Sequence, residues 1–378
     1  PPPGAMVEFR GLWVTRFNWM GGDLPATPDS IDIMVNTAAD AGFNALLFQV
    51  RGTADAYYAS SVEPWAARLT GELGRPPYPY WDPLERIIAR AHERGMQVHA
   101  YINVYTVWTP TGTPSYTSPL HLWHLLAQEH GLDGGLNSGL QWDRTEQIVR
   151  NEYQWATPAS VFLDNHLMEV TRDLVQNYDL DGIHLDRVRY AGPNASCDPV
   201  SFERSGVECF ATSTYGNWQR AQVNGTVQKF YESLFDDTGW AYGRRIMLSA
   251  AVFPLYESGR INYYQDSKAW IQSGYIDALV PMIYSSSSAF DATVESWRQV
   301  AQDFYDDRAG RFVFPGLGSN HYGSFAEIAG RIEASRSLGT GGHAIFSYGG
   351  LASRGYFDDL RYGPYAVPAV PPTITWHE

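Results

Sequence analysis

Short apolar runs alternate along the chain with stretches whose hydrophobic residues recur every three or four positions. The runs are Gly11–Phe17, Ala45–Arg51, Gln97–Val104, Gly182–Arg187, Ile246–Phe253, Ala278–Tyr284, Phe312–Gly316 and His343–Tyr348, and each reads as a strand. Between them, Ile31, Met34, Val35 and Ala38 form one helical stripe, and Leu84, Ile87, Ile88 and Ala91 form another. Asp82 followed by Pro83 opens the second helix and Gly95 closes it. The same spacing predicts helices at Asn165–Tyr178, Tyr215–Leu234, Ser267–Gln272, Val294–Tyr305 and Phe325–Leu338. Strand and helix in alternation, eight times over, specify the α/β class and a (β/α)8 TIM barrel. No composition break divides the chain, so one domain is expected: a linker at 1–8, a catalytic barrel at 9–355 and a C-terminal extension at 356–378. The Pro-rich end, Val367–Glu378, is expected to lead away from the barrel. Two connections are long, Tyr105 to about Ser160 after the third strand and Ala191 to about Thr214 after the fourth. Both leave the C-terminal ends of strands, the rim on which barrel enzymes build their sites.

Side chains alternate along a strand, so parity sorts the barrel interior from the helix-facing shell. In the fourth strand, Asp181-Gly-Ile-His-Leu-Asp-Arg-Val-Arg-Tyr190, Ile183 and Leu185 face the helices while His184 and Asp186 face inward, Asp186 nearest the rim. A carboxylate inside a barrel is costly unless it is ion-paired or used in chemistry. Arg187 and Arg189 follow directly and offer the structural alternative. The same parity turns Gln49 and Arg51, then His99, Tyr101 and Asn103, then Met282 and Tyr284 toward one axis. A purely structural barrel fills such positions with Val, Ile and Leu.

Composition narrows the chemistry. The chain has 378 residues, 44% of them hydrophobic, and a net charge of −14, with Lys229 and Lys268 its only lysines. That balance argues against nucleic acid or an anionic membrane surface as partner. No apolar run approaches the ~18 residues of a membrane span. Aromatic residues reach 14%, including 13 Trp and 24 Tyr, which fits either a ring-rich core or a cleft on which sugars stack. Cys197 and Cys209 lie close together, either closing a small loop in an oxidising compartment or standing as unrelated thiols. CxxC and HxxxH spacings are lacking, and His121 with His124 is a weak candidate for metal, so no metal or cofactor is implied. The opening Pro-Pro-Pro-Gly-Ala-Met reads as a linker on a mature protein, and Asn194-Ala-Ser and Asn224-Gly-Thr match the glycosylation sequon weakly. No Gly-x-Ser-x-Gly elbow occurs, Gly339-Thr-Gly-Gly342 reads as a turn, and Ser285–Ser288 as a lip of the cleft.

Several ordered segments carry a resemblance. Phe9-Arg-Gly-Leu-Trp-Val-Thr15, Phe48-Gln-Val-Arg51, Asp55-Ala-Tyr-Tyr-Ala-Ser60, Glu63-Pro-Trp65, Leu69-Thr-Gly71, His99-Ala-Tyr-Ile-Asn103, Asp181-Gly-Ile-His-Leu-Asp-Arg187, Gln265-Asp-Ser-Lys-Ala-Trp270 and Pro281-Met-Ile-Tyr284 together resemble the bacterial glycosyl-hydrolase-like family 10. The similarity runs from about Glu8 to Leu351. It departs at Ala191, where that family often has Pro, and in the loop holding Cys197 and Cys209. The resemblance implies hydrolysis of a polysaccharide, with amino-sugar glycans such as peptidoglycan the leading substrate, in a secreted or cell-envelope setting.

Glycoside hydrolysis ordinarily uses two carboxyl groups flanking the scissile bond. Asp186 is the first, as nucleophile or as base on water. For the second, Asp266 at a loop-to-helix junction ranks above Glu63 and Glu257. Their structural alternatives are a helix cap, a capping box with Ser60 and a solvated loop charge, respectively. His184 and Tyr284 are expected to orient Asp186 or the sugar. Tyr58, Trp65, Tyr101 and Trp108 would be stacking platforms, and Arg51 and Asp55 hydrogen-bonding partners, with His99, Asn103 and Arg187 completing the site. Attack within a chain is expected from an open cleft. The rivals are a hydrolase of a galactosamine-containing exopolysaccharide and a carbohydrate-binding barrel without turnover.

Overall fold

Parity explains how the strands close. In the computed structural model, which describes residues 4–20, 26–236, 238–241, 243–284, 288–303 and 310–377, nine strands form one parallel sheet. They are β1 (Phe9–Val14), β2 (Ala45–Arg51), β3 (Gln97–Asn103), β4 (Gly182–Asp186), β5 (Met247–Val252), β6 (Ala278–Pro281), β7 (Phe312–Val313), β8 (Gly316–Gly318) and β9 (Gly342–Phe346). These make eight staves, because the seventh is broken at Phe314-Pro315, where proline has no N–H to give a ladder. β7 pairs with β6, and β8 pairs with β9. A bridge between Met282 and Gly316 joins the two sides, and β9 pairs with β1.

The helices fall where the spacing places them: α1 (Pro28–Asp40), α2 (Pro83–Glu93), α3 (Val161–Asn177), α4 (Tyr215–Phe235), α5 (Ser267–Gln272), α6 (Phe290–Asp303) and α7 (Phe325–Ser337). Asp82 caps α2 by accepting from the amides of Leu84 (2.8 Å) and Glu85 (3.2 Å). The last two residues of the expected Val294–Tyr305 helix, and positions 285–287 of the serine-rich lip, lie outside the described residues.

Two apolar layers follow from alternation. Leu46, Phe48 and Val50 of β2, Val98, Ala100 and Ile102 of β3, and Ile183 and Leu185 of β4 pack outward against the helices. Phe9, Trp13, Leu47, Tyr101, Met247, Val280 and Phe314 fill the interior. Burying these side chains supplies the main favourable term in folding, on the order of 1.5–3 kcal/mol for each large one.

The chain end departs from expectation. Instead of leading away, it returns beneath the barrel. Ala369–Val370 pairs in parallel with Met6–Val7. Ile374 and Trp376 join the interior cluster from the N-terminal end. The Trp376 indole N–H donates to Asp277 Oδ1 (2.6 Å), and the Arg311 guanidinium lies 4.6 Å from the Trp376 ring centre. The loop after β4 is closed by a disulfide between Cys197 and Cys209, which settles a pairing left open by the sequence.

Candidate active site

A cleft of about 710 Å³ opens at the C-terminal ends of the strands. Asp186, the last residue of β4, lies in its floor, half-buried. Both carboxylate oxygens are held. Tyr101 donates its hydroxyl to Oδ2 (2.7 Å) and the Arg187 amide donates to Oδ1 (2.7 Å). Arg187 adopts φ 54°, a left-handed conformation that L residues seldom take, and the turn brings its amide back onto the preceding carboxylate. The Arg187 guanidinium reaches across to Glu152 Oε2 (2.5 Å).

Beneath this floor the interior polar residues brace one another. The Trp13 indole N–H donates to His184 Nε2 (3.0 Å), so the remaining imidazole proton sits on Nδ1 and donates to Ser249 Oγ (2.9 Å). Burial keeps His184 neutral and pulls it down to about 3. Expected to orient Asp186 or the sugar, His184 instead holds Trp13, which lines the cleft, and neither hydrogen-bonds Asp186 nor lines the cleft itself. His99 lies deeper, edge-on to Phe9, in space left by Gly182, where a Cβ would meet its Nδ1 at 2.2 Å. Burial lowers it to about 4, and it does not line the cleft, contrary to expectation.

The expected partner acids stand elsewhere. Glu63 is buried in an ion pair with Arg51 (2.8 Å) and accepts from His166 Nε2 (2.9 Å). Burial alone would raise it, but Arg51 and His166 outweigh this and hold it near 2. Parity also misplaces Arg51. The β2–β3 register shifts between Gln49 and Arg51, so Gln49 lines the cleft while Arg51, fully buried, turns to Glu63 and to the carbonyls of Asn103 and Val104. Asp266 accepts from the Tyr256 hydroxyl and lies 3.8 Å from Arg260. Its side chain makes no capping hydrogen bond to α5, and it does not line the cleft. Glu257 is 66% exposed and pairs loosely with Arg260 at 3.7 Å. Among the described residues, the carboxylates lining the cleft are Asp186 and Glu152. Sequence reading missed Glu152, which sits inside the long loop after β3.

The walls are aromatic and locally basic. Tyr153, Phe253, Tyr263, Tyr284 and Phe346 line them. Tyr284 stacks on His321 at 5.1 Å and on Phe346 at 5.4 Å. Arg16, Arg187 and Arg189 stand around the two carboxylates, an excess of one positive charge. Arg189 lies 4.8 Å from the Tyr263 ring centre and 5.0 Å from that of Trp155, and burial beside Arg187 lowers it to about 10. Asn103 lines the cleft with its amide donating to the Gly52 carbonyl (3.1 Å). Thus Tyr101, Asn103, Asp186, Arg187 and Tyr284 of the expected set converge.

Asp55 and Trp108 occupy a second hollow of about 360 Å³, which shares Arg16 and Phe17 with the cleft. Tyr58 is buried edge-on to Tyr178 at 5.6 Å, and Trp65 packs edge-on to Tyr80 at 6.4 Å; neither lines either space. His121 and His124 bond to the carbonyls of Thr53 (3.0 Å) and Pro114 (2.9 Å). Of the cleft residues missed, Trp13 had a signal, because it lies in the first strand of the resemblance; Arg189, named from the sequence as a possible ion-pair partner of Asp186, lines the cleft. Phe253 continues the inward parity of Met247, Ser249 and Ala251 in the strand expected at Ile246–Phe253, whereas Tyr263 lies well beyond that strand, where parity gives no guide.

The family description "Glycosyl hydrolase-like 10" matches residues 8–308. The chain is similar to Glycosyl hydrolase YngK of Bacillus subtilis (strain 168), at 27% identity over 325 residues covering 77% of this chain and 57% of that protein. It is also similar to Glycosyl hydrolase DigH of Escherichia coli (strain K12), at 25% identity over 283 residues covering 69% and 60%. The chain thus spans less than two thirds of the length of these curated relatives. Among solved structures, the PgaB (BpsB) glycoside hydrolase domain from Bordetella bronchiseptica aligns with a TM-score of 0.62 at 13% identity, over 94% of this chain and 98% of that one. The catalytic domain of β-amylase from Paenibacillus polymyxa aligns with a TM-score of 0.60 at 12% identity, over 94% and 98%. At such identities the likeness establishes the barrel fold.

Proposed function

The chain belongs to the glycosyl hydrolase-like 10 family, and from that premise we propose that it hydrolyses an amino-sugar polysaccharide outside the cytoplasm, with the glycan strands of peptidoglycan as the favoured substrate. The observation that carries this reading is Asp186, presented by a strand end to a ring-lined cleft with both oxygens fixed by donors. A preorganised carboxylate loses little freedom on reaching the transition state.

In this reading Asp186 attacks the anomeric carbon or takes the proton of the attacking water, and Glu152, which takes up a proton from solvent once the bound sugar displaces the Arg187 guanidinium, passes that proton to the departing oxygen. Water is consumed, its hydroxyl ending on the anomeric carbon and its remaining proton restoring the acid. Arg187, touching both carboxylates, sets their relative position. Tyr153, Tyr263 and Tyr284 offer faces and hydroxyls to the sugar rings. Peptidoglycan strands stripped of stem peptides are favoured over a neutral glycan because the lactyl carboxylates freed on alternate sugars suit a cleft with surplus arginine, although the protein as a whole is acidic. The disulfide supports an oxidising compartment.

The test is the mass of products released from peptidoglycan strands stripped of stem peptides, and from galactosamine polymers. Cleavage of the former, weakened by salt, is the expected result. Cleavage of galactosamine polymers alone would move the substrate, and binding without cleavage of any glycan would overturn the hydrolase reading.

A further inference from the structure

The hollow beside the main cleft holds side chains that neither the fold nor the proposed chemistry employs. Arg16 and Phe17, just past β1, form a ridge that lines both spaces. The ridge is fixed. Arg16 donates to the Tyr153 hydroxyl (3.1 Å), and the Arg16 and Arg68 guanidinium carbons lie 4.5 Å and 4.3 Å from the Phe17 ring centre. Phe17 nevertheless remains 54% exposed. A solvent-facing phenyl held by two cations is an expensive ornament for a lone surface but a natural crest for a ligand to cross.

Beyond the ridge three groups meet. The Trp108 ring is half-buried and is set edge-on to His121 at 5.2 Å, which leaves an immobilised indole in the wall. Asp55 is buried, and its Oδ1 accepts from the Thr53 amide (2.7 Å) and hydroxyl (3.3 Å), while Oδ2 accepts no hydrogen bond from the described residues. Arg68 is exposed and pairs with no carboxylate among the described residues. A fixed ring, a fixed acceptor and a planar donor are what one pyranose needs: stacking on its C–H face and bidentate bonds to its hydroxyls or acyl oxygen.

We infer that this hollow is a distal saccharide subsite, so that the substrate is a chain lying across the Arg16–Phe17 ridge with one unit over Trp108, Asp55 and Arg68 and the scissile bond at Asp186. The inference rests on the hydrolase reading for the position of the cut, but the subsite is a claim about binding that stands or falls separately. A chain that must occupy both spaces gains affinity and rate with length.

Length dependence is the test. Purified glycan strands free of stem peptides, sorted from the shortest to eight or more sugars (a roughly sixfold range of affinity or more is readable), are offered to the unaltered protein and to Arg68→Ala and Trp108→Ala. Melting curves confirm that each variant folds, and exposed Arg68 carries the test should Trp108→Ala unfold. The expected result is a long-over-short advantage in kcat/KM that drops about tenfold in each folded variant. An unchanged advantage in Arg68→Ala, with glycans still cut, overturns the subsite and leaves the hydrolase intact. If no strand is cut, the peptidoglycan reading falls, and calorimetric titration decides the subsite: binding that strengthens with length and loses that trend in Arg68→Ala supports it, and a trend unaffected by the substitution removes it.

Discussion

Tyr101 and Asp186 occupy adjacent staves with inward parity, and the 2.7 Å bond between them ties the acid to the barrel wall. Tyr101→Phe deletes that donor and leaves the ring to pack. A hydrogen bond to a carboxylate contributes roughly 1.5–3 kcal/mol, so kcat is expected to fall about 10–100-fold while the melting temperature stays within a few degrees. An unchanged kcat would show that the tyrosine does not hold the acid. At this scale Asp186 was legible, because its parity follows from a strand whose register is fixed by its apolar neighbours. Glu152 was not, since no periodicity governs a loop, and its place is set by Arg187 and by the packing of Tyr153 and Trp155 around that guanidinium. Arg51 was misread for a local reason: one irregularity in the β2–β3 ladder redirects it to Glu63.

At the scale of elements, the strands and helices were legible because the two periods differ so plainly. The broken seventh stave and the returning tail were not. Pro315 splits a run that pattern alone reads as continuous. The tail is proline-rich, yet three of its side chains, Ile374, Trp376 and His377, complete sites that the barrel leaves open. His377 Nε2 stands 2.9 Å from the Asp277 carboxylate, which also accepts from the Leu248 amide (2.7 Å). Trp376→Ala removes a ring from the barrel's underside and a donor from a buried carboxylate. It is expected to lower unfolding free energy by about 2–4 kcal/mol in denaturant titration, with no change in kcat, because the cleft lies at the other end of the strands. A loss below about 0.5 kcal/mol would mean that the tail does not seal the barrel.

For the molecule as a whole, acid sensitivity is written into the interior. His184, His99 and His343 are buried and neutral, lowered by desolvation to about 3, 4 and 4. The unfolded chain takes up protons at these residues below about pH 6.5, whereas the folded chain does not, so their contribution is intact above that value and is lost as pH falls toward 3–4. Glu63, held near 2, loses its contribution only below about 4.5. The melting temperature should therefore begin to decline near pH 6.5. A curve flat down to about pH 4.5 would contradict the neutral, buried assignment of the histidines.

The proposed cleavage at Asp186 draws on all three scales, since the barrel presents the acid, its neighbours hold it and the proposed subsite lies beside it. The most direct measurement compares turnover with affinity in Asp186→Asn on the glycan that the unaltered protein cuts. The expected result is a kcat lowered by about a thousandfold or more, with the dissociation constant changed by less than about tenfold. Turnover that persists in the variant would place the chemistry elsewhere.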